Sequence, residues 1–199
     1  MRVYLDNSAT KKSDPRGNVK MQPFFEELYG HPNSIHSYGM EVRPSLNEAM
    51  GAMYDALNVP DQDDILITSC ATESNNAVLK GIFFKHILKN PEKNHIVTTA
   101  VEHPSMLDTL LFLEENGVDV TFVDVDSSGG ISAEAMKEAG TYMYILFSMM
   151  WASKVKGMMF PVEEVVVLAK AEGKLVHTDD VQAVGKHPVD LSKVDVDYL

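Results

Sequence analysis

Short apolar runs alternate along the chain with longer stretches in which apolar residues recur at helical spacing. Residues 3–5 form a brief apolar run. Over 40–57 the apolar positions return every three to four residues, which predicts a helix with Pro44 near its start, where a missing N–H is tolerated. Residues 64–68 (DILIT) read as a buried strand and 73–88 as a helix. His95–Thr99 (HIVTT) reads as a second strand, followed by a helix over about 105–115. Residues 118–125 alternate apolar and polar as a half-buried strand does, and 127–130 carry turn residues. A short helix over Ala133–Ala139, an apolar strand over 142–148, a helix over 162–172 and a strand over 174–178 follow. Residues 194–199 look like the start of one more strand.

Strands of about five to seven residues separated by helices predict βαβ units and a mostly parallel sheet. The strands are nearly continuous in apolar residues, which is the pattern of a sheet covered on both faces. The expected fold class is therefore α/β, three-layered, with helices on both faces of a mostly parallel sheet.

Composition narrows this picture. The 199 residues are 45% hydrophobic and 23% charged, as in an ordinary globular protein. No apolar run reaches the roughly 18 residues of a membrane span, and the N-terminus has no stretch of signal-peptide length. A net charge of −12 repels phosphate backbones, so neither nucleic acid nor membrane is an expected partner. The single cysteine, Cys70, excludes an internal disulfide and fits a reducing, cytoplasmic setting. It reads as a small packed residue. His31 and His36 lie in a loop rich in Gly, Pro, Asn and Ser. No pair of histidines has a metal-ligand spacing, so no metal site is expected.

Three strand ends carry candidate chemistry. Ser69-Cys70-Ala71-Thr72-Glu73 opens a predicted helix, where free N–H groups and partial positive charge suit a phosphate. A plain helix cap explains the same residues. Glu102-His103-Pro104 follows a strand; the imidazole could stack on an aromatic ring and move protons, or could simply be solvated or capping. Asp179 closes a third strand, with Gln182 after it. A carboxylate there could pair with a pyridinium N–H, and helix capping by Asp179 or Asp180 is the alternative.

The strings VYLDNSAT, YGHPNSIHSYG, ITSCATESNNAVLKG, HIVTTAVEHPS and LVHTDDVQAVGKHPVD, in this order, resemble the cysteine desulfurases. These belong to the class V aminotransferase group of pyridoxal-phosphate (PLP) enzymes of fold type I. The resemblance runs from Val3 to Leu199 and corresponds to about the first half of a family member. It implies that the backbone of Ala71 and Thr72 holds the PLP phosphate. It implies that His103 stacks on the ring as an acid–base group, Asp179 pairs with the ring nitrogen and Gln182 bonds the phenolic oxygen. Asn7, Ser8, Ala9, Asn33, Ser34 and His36 would shape the substrate side. The implied substrate is L-cysteine, converted to L-alanine as sulfur passes to an acceptor thiol for iron–sulfur cluster or thio-cofactor assembly. The implied partners are a second copy in a homodimer and an iron–sulfur scaffold protein.

Several positions depart from the family pattern. Asp180 stands where the family has alanine, which would set a second acid beside the ring nitrogen. Lys154 stands where an asparagine ordinarily reaches ring and substrate, so a two-way amide becomes a cation that only donates. The expected organisation is an N-terminal arm over 1–15 and a partial PLP-binding domain over 16–199. The family's Schiff-base lysine and nucleophilic cysteine, the latter on a small C-terminal domain, are expected to be missing from these residues, which would leave PLP to be held by phosphate, stacking and ring contacts. On that expectation the chain would be inactive. A related class V lyase or aminotransferase, and a non-catalytic scaffold built on the same fold, are the alternative readings.

Overall fold

The computed structural model describes all residues from Met1 to Leu199, which divide into two compact units, Met1–Ile65 and Leu66–Leu199.

The first unit is helical. Helix α1 (Pro15–Met21) is capped by Asp14, whose carboxylate accepts from the Arg16 N–H at 2.8 Å, and Pro15 occupies the first turn, where no N–H is needed. The short α2 (Pro23–Glu26) follows, then the long α3 (Ser37–Leu57). Helix α3 starts three residues before the apolar pattern does, which places Pro44 inside it. Asn58 ends α3 in the left-handed conformation, with its N–H turned back to Tyr54 and Asp55 carbonyls. Glycines at 30 and 39 have a steric reason: a Cβ on Gly30 would lie 2.1 Å from the Tyr38 carbonyl oxygen, and one on Gly39 2.5 Å from the His31 and Ser34 oxygens. The loop can fold onto the start of α3 only without those carbons.

The second unit holds the sheet. Helix α4 (Ala71–Ile82) runs into a π-helical turn at Phe83–Ile87. Then come β1 (His95–Thr99), α5 (Pro104–Glu115), β2 (Asp119–Val123), α6 (Ala133–Ala139), β3 (Tyr144–Met150), α7 (Val162–Ala171) and β4 (Leu175–Asp179). The four strands are parallel in the order β2-β1-β3-β4. The chain moves one way from β1 to β2 and the other way from β2 through β3 to β4. Right-handed crossovers then put α5 on one face and α6 and α7 on the other. The packing agrees: α4 lies against α5, and α6 against α7.

One face is closed by Leu79, Ile82, Phe83, Ile87, Met106, Leu110 and Leu113 against Ile96 and Leu146. Val162, Val165, Val166 and Ala169 are the buried side of α7. Every residue of β1 is buried, which accounts for the unbroken apolar and threonine run in the sequence.

Two sequence expectations fail here. Residues 64–68 form no strand, and Leu66 and Ile67 are exposed, because no neighbouring strand offers them a ladder. Residues 194–199 likewise form no strand. Only a single bridge joins Tyr198 to His177, with the Asp197 and Tyr198 N–H groups donating to the Val176 carbonyl.

Candidate functional site

The reversal of chain direction on either side of β1 opens a crevice between the carboxyl ends of β1 and β3. In open α/β sheets ligands bind at such a point. A cavity of about 380 Å³ lies at these strand ends, within the size range of small-molecule sites. Ala71, Thr72, His103, Lys154, Asp179 and Gln182 all line it. A second hollow of about 300 Å³, bordered by Tyr144, Lys174 and Leu175, lies at the opposite ends of the strands.

Ala71 and Thr72 begin α4. Its N-cap, Cys70, makes no side-chain capping bond. The Ser69 hydroxyl and N–H instead both donate to Glu73, at 2.6 and 2.7 Å, which folds that carboxylate back toward the residues before the helix. The N–H groups of this first turn carry partial positive charge that suits an anion. Cys70 is exposed rather than packed, because it caps the helix from outside the core. Backbone N–H groups of the first turn, Glu73's foremost, then the Ser69 hydroxyl, hold its thiol below the usual range.

His103 is the N-cap of α5, with Pro104 at the first helical position. Its Nδ1 accepts from the Ser105 N–H at 3.2 Å and lies 2.8 Å from the Ser105 hydroxyl. Capping and cavity lining are thus one placement. Asp179, at the end of β4, accepts from the Val181 N–H on Oδ1 at 3.2 Å and from the Asn75 amide on Oδ2 at 2.9 Å. Both donors suit a negative charge. Gln182 follows in the same turn and is bonded to the Lys186 ammonium. Lys154 lies in the turn after β3. Asn7, Ser8, Ala9, Asn33, Ser34 and His36 belong to the first unit, where the Ser8 hydroxyl donates to Asp6 at 3.1 Å.

Three further titratable groups are buried around these strand ends. Glu102 lines the cavity at 5% exposure; one oxygen accepts from the Thr99 hydroxyl and the Met150 N–H, and the other has no partner. Burial, resisted by those two bonds and helped by the Asp179 charge, pushes its carboxyl up to about 7. Asp180 does not line the cavity with Asp179. The alternation of side chains along the chain turns it into a smaller hollow with Ser74, Asn75 and Thr178, where Thr178 donates to it at 2.9 Å. Burial raises its carboxyl to about 7, and one oxygen is unpartnered. His177 points into the core against the Ser148 hydroxyl at 2.8 Å, and burial lowers it to about 4.

Sequence reasoning missed Asn75 and Ser105. Asn75 lies one turn into α4 and Ser105 one position past Pro104, and both are polar residues on buried helix faces. A polar residue on an otherwise apolar helical stripe was the available signal.

The fold and the crevice define an α/β protein with a cavity at its topological switch point. The aminotransferase class V family matches residues 3–199, and the chain belongs to that family. Cysteine desulfurase 2 of Trichormus variabilis is 38% identical over 197 residues, covering 99% of this chain and 48% of that protein. Cysteine desulfurase NifS of Azotobacter vinelandii is 37% identical over the same length, again with 99% and 48% covered. The chain therefore spans about half the length of the curated relatives it matches. Among solved structures, a NifS-like protein superposes with a TM-score of 0.92 at 38% identity, covering 99% of this chain and 53% of the other. SspA, solved in complex with cysteine, superposes at 0.91 with 28% identity, covering 98% and 55%.

Proposed function

We propose that the cavity at the ends of β1, β3 and β4 is the PLP site of a cysteine desulfurase, acting on L-cysteine and passing its sulfur to an acceptor thiol. The observation that carries this reading is the convergence of a helix N-terminus, an imidazole and a doubly hydrogen-bonded carboxylate on one cavity. The donor set fits the cofactor part by part. The N–H groups of Ala71 and Thr72 suit its phosphate, Asp179 its protonated ring nitrogen, and Gln182 its phenolic oxygen. His103 lies on the cavity wall to cover the ring. Bound there, PLP supplies an electron sink for negative charge developing on the substrate.

The chain's own residues set the conditions for that chemistry. Asp179 would keep a bound ring's nitrogen protonated, and its two donors fix the carboxylate's direction. His103 offers a nitrogen for proton transfer while Nδ1 is held by Ser105. Lys154 adds a cation to the cavity wall, where it would pair with an anionic group of the substrate or cofactor. The SspA structure with bound cysteine supports the substrate assignment by similarity. A homodimer, an iron–sulfur scaffold as sulfur acceptor and a cytoplasmic location belong to the same proposal.

The test is a titration of the 199-residue protein with PLP, followed by its visible absorption band and by thermal denaturation. A shifted band and a raised melting temperature, both lost in Asp179→Ala, are expected. A protein that neither perturbs the PLP spectrum nor is stabilised by it would overturn the reading.

A further inference from the structure

Four side chains form a continuous line through the wall of the cavity. The Asn75 amide nitrogen donates to Asp179 Oδ2 at 2.9 Å and to Ser105 Oγ at 3.0 Å, and Ser105 Oγ lies 2.8 Å from His103 Nδ1. We propose that Asn75 and Ser105 are positioning residues that tie Asp179 to His103 and hold the imidazole proton on Nε2.

Donor accounting gives each link one direction. The Ser105 N–H lies 3.2 Å from His103 Nδ1, and an N–H can only donate, so Nδ1 carries the lone pair. The Ser105 hydroxyl, against the same nitrogen, must then spend its proton there. With that proton spent, Ser105 Oγ is an acceptor, and it faces one hydrogen of the Asn75 amide. The other amide hydrogen meets the Asp179 carboxylate. Turning the amide over would set its oxygen against a carboxylate oxygen, and moving the imidazole proton to Nδ1 would set two N–H groups against each other. Neither reversal is compatible with the chain of bonds.

Burial makes the line stiff. Asn75 is 3% exposed and Ser105 9%, so an unmade bond at either would be costly. Asn75 comes from α4, Ser105 and His103 from the start of α5, and Asp179 from β4, so the relay fixes the relative placement of three elements where they meet the cavity. Its chemical effect is to leave Nε2 as the hydrogen-bearing nitrogen, so that His103 enters the site as a donor. The relay rests on the functional reading above only for what that donor meets; the tautomer itself is a property of the ligand-free protein.

The experiment is a long-range ¹H–¹⁵N correlation spectrum of the imidazoles in the ligand-free 199-residue protein above pH 8. A single Nε2–H tautomer is expected for His103 in the unaltered protein. The Ser105 N–H, at 3.2 Å, stays in every variant, so Ser105→Ala and Asn75→Leu should each turn the single-tautomer pattern into a mixture that keeps Nε2–H in the majority and admits Nδ1–H, the second acting across Ser105 without touching the ring. Ser105→Thr, which keeps the hydroxyl, should restore the single tautomer. Circular dichroism confirms that each variant folds, and if Asn75→Leu does not, the Ser105→Ala and Ser105→Thr pair decides. An Nδ1–H tautomer in the unaltered protein, or an unchanged pattern in Ser105→Ala, would overturn the relay. Failure of PLP to bind, with these tautomer shifts intact, would overturn the functional reading and leave the relay standing.

Discussion

Residues Met1–Ile65 and Leu66–Leu199 both carry many apolar side chains and have opposite interiors. In the first unit the long helix α3 buries only Gly39 and Val42, while Val19, Phe25, Tyr29, Met40 and Leu46 stay exposed. In the second unit Leu79, Ile96, Met106, Leu110, Leu113 and Leu146 are wholly buried. The difference is the sheet. The first unit contains no strand, whereas α4, α5, α6 and α7 each close on a strand surface. The second unit also buries Glu102, Asp180 and His177, and the first buries no ionisable side chain.

The sharpest way to break this comparison is amide hydrogen exchange. The amides of β1 and β3 should exchange at least about a hundredfold more slowly than those of α3, because local opening of α3 exposes little buried surface. Equal protection in the two would refute the contrast.

Core truncation should differ next. Leu110→Ala removes a wholly buried side chain and should cost about 2–5 kcal/mol in denaturant unfolding. Leu46→Ala, at 40% exposure in the first unit, should cost less than about 1 kcal/mol. Comparable losses would mean that the first unit is packed in solution after all.

The third test uses pH. Between the ordinary 4.5 and about 7, the unfolded chain releases a proton that folded Glu102 retains, so stability falls as pH rises through that window. Asp180 acts in the same direction between 3.8 and about 7. His177 opposes them: from 6.5 down to about 4 the unfolded chain binds a proton that the folded core refuses, so this part of the stability rises with pH. Two groups outweigh one, and stability should decline from pH 4.5 to 7. Glu102→Gln should raise stability at pH 8 by up to roughly 3 kcal/mol, the worth of its displacement. The Glu102→Gln, Asp180→Asn pair should reverse the slope and leave the His177 dependence. Thermal melts across pH 4.5 to 8 read all of this, and a slope unchanged in the double variant would show that neither carboxyl is buried as described.

What the sequence determined by itself is local and periodic. It placed β1, α5, α6 and α7 within a residue or so, because each has an apolar repeat long enough to name its period and turn residues to bound it. It also marked Thr72, His103 and Asp179 as candidates, since polar residues at the junction between an apolar run and a predicted helix stand out without knowledge of the partner strand. Only the tertiary structure decided that residues 64–68 and 194–199 form no strand, because a strand exists only through a neighbour's ladder and no local pattern reveals whether that neighbour is present. The same holds for Asp179 and Asp180. They are identical in chemistry and adjacent in the chain, yet one is hydrogen-bonded at the cavity and the other is half-satisfied behind it. Asn75 reaches Asp179 across about a hundred residues of chain. Contacts of that kind are set by the strand order and by which helix covers which face, and these are properties of the assembled sheet.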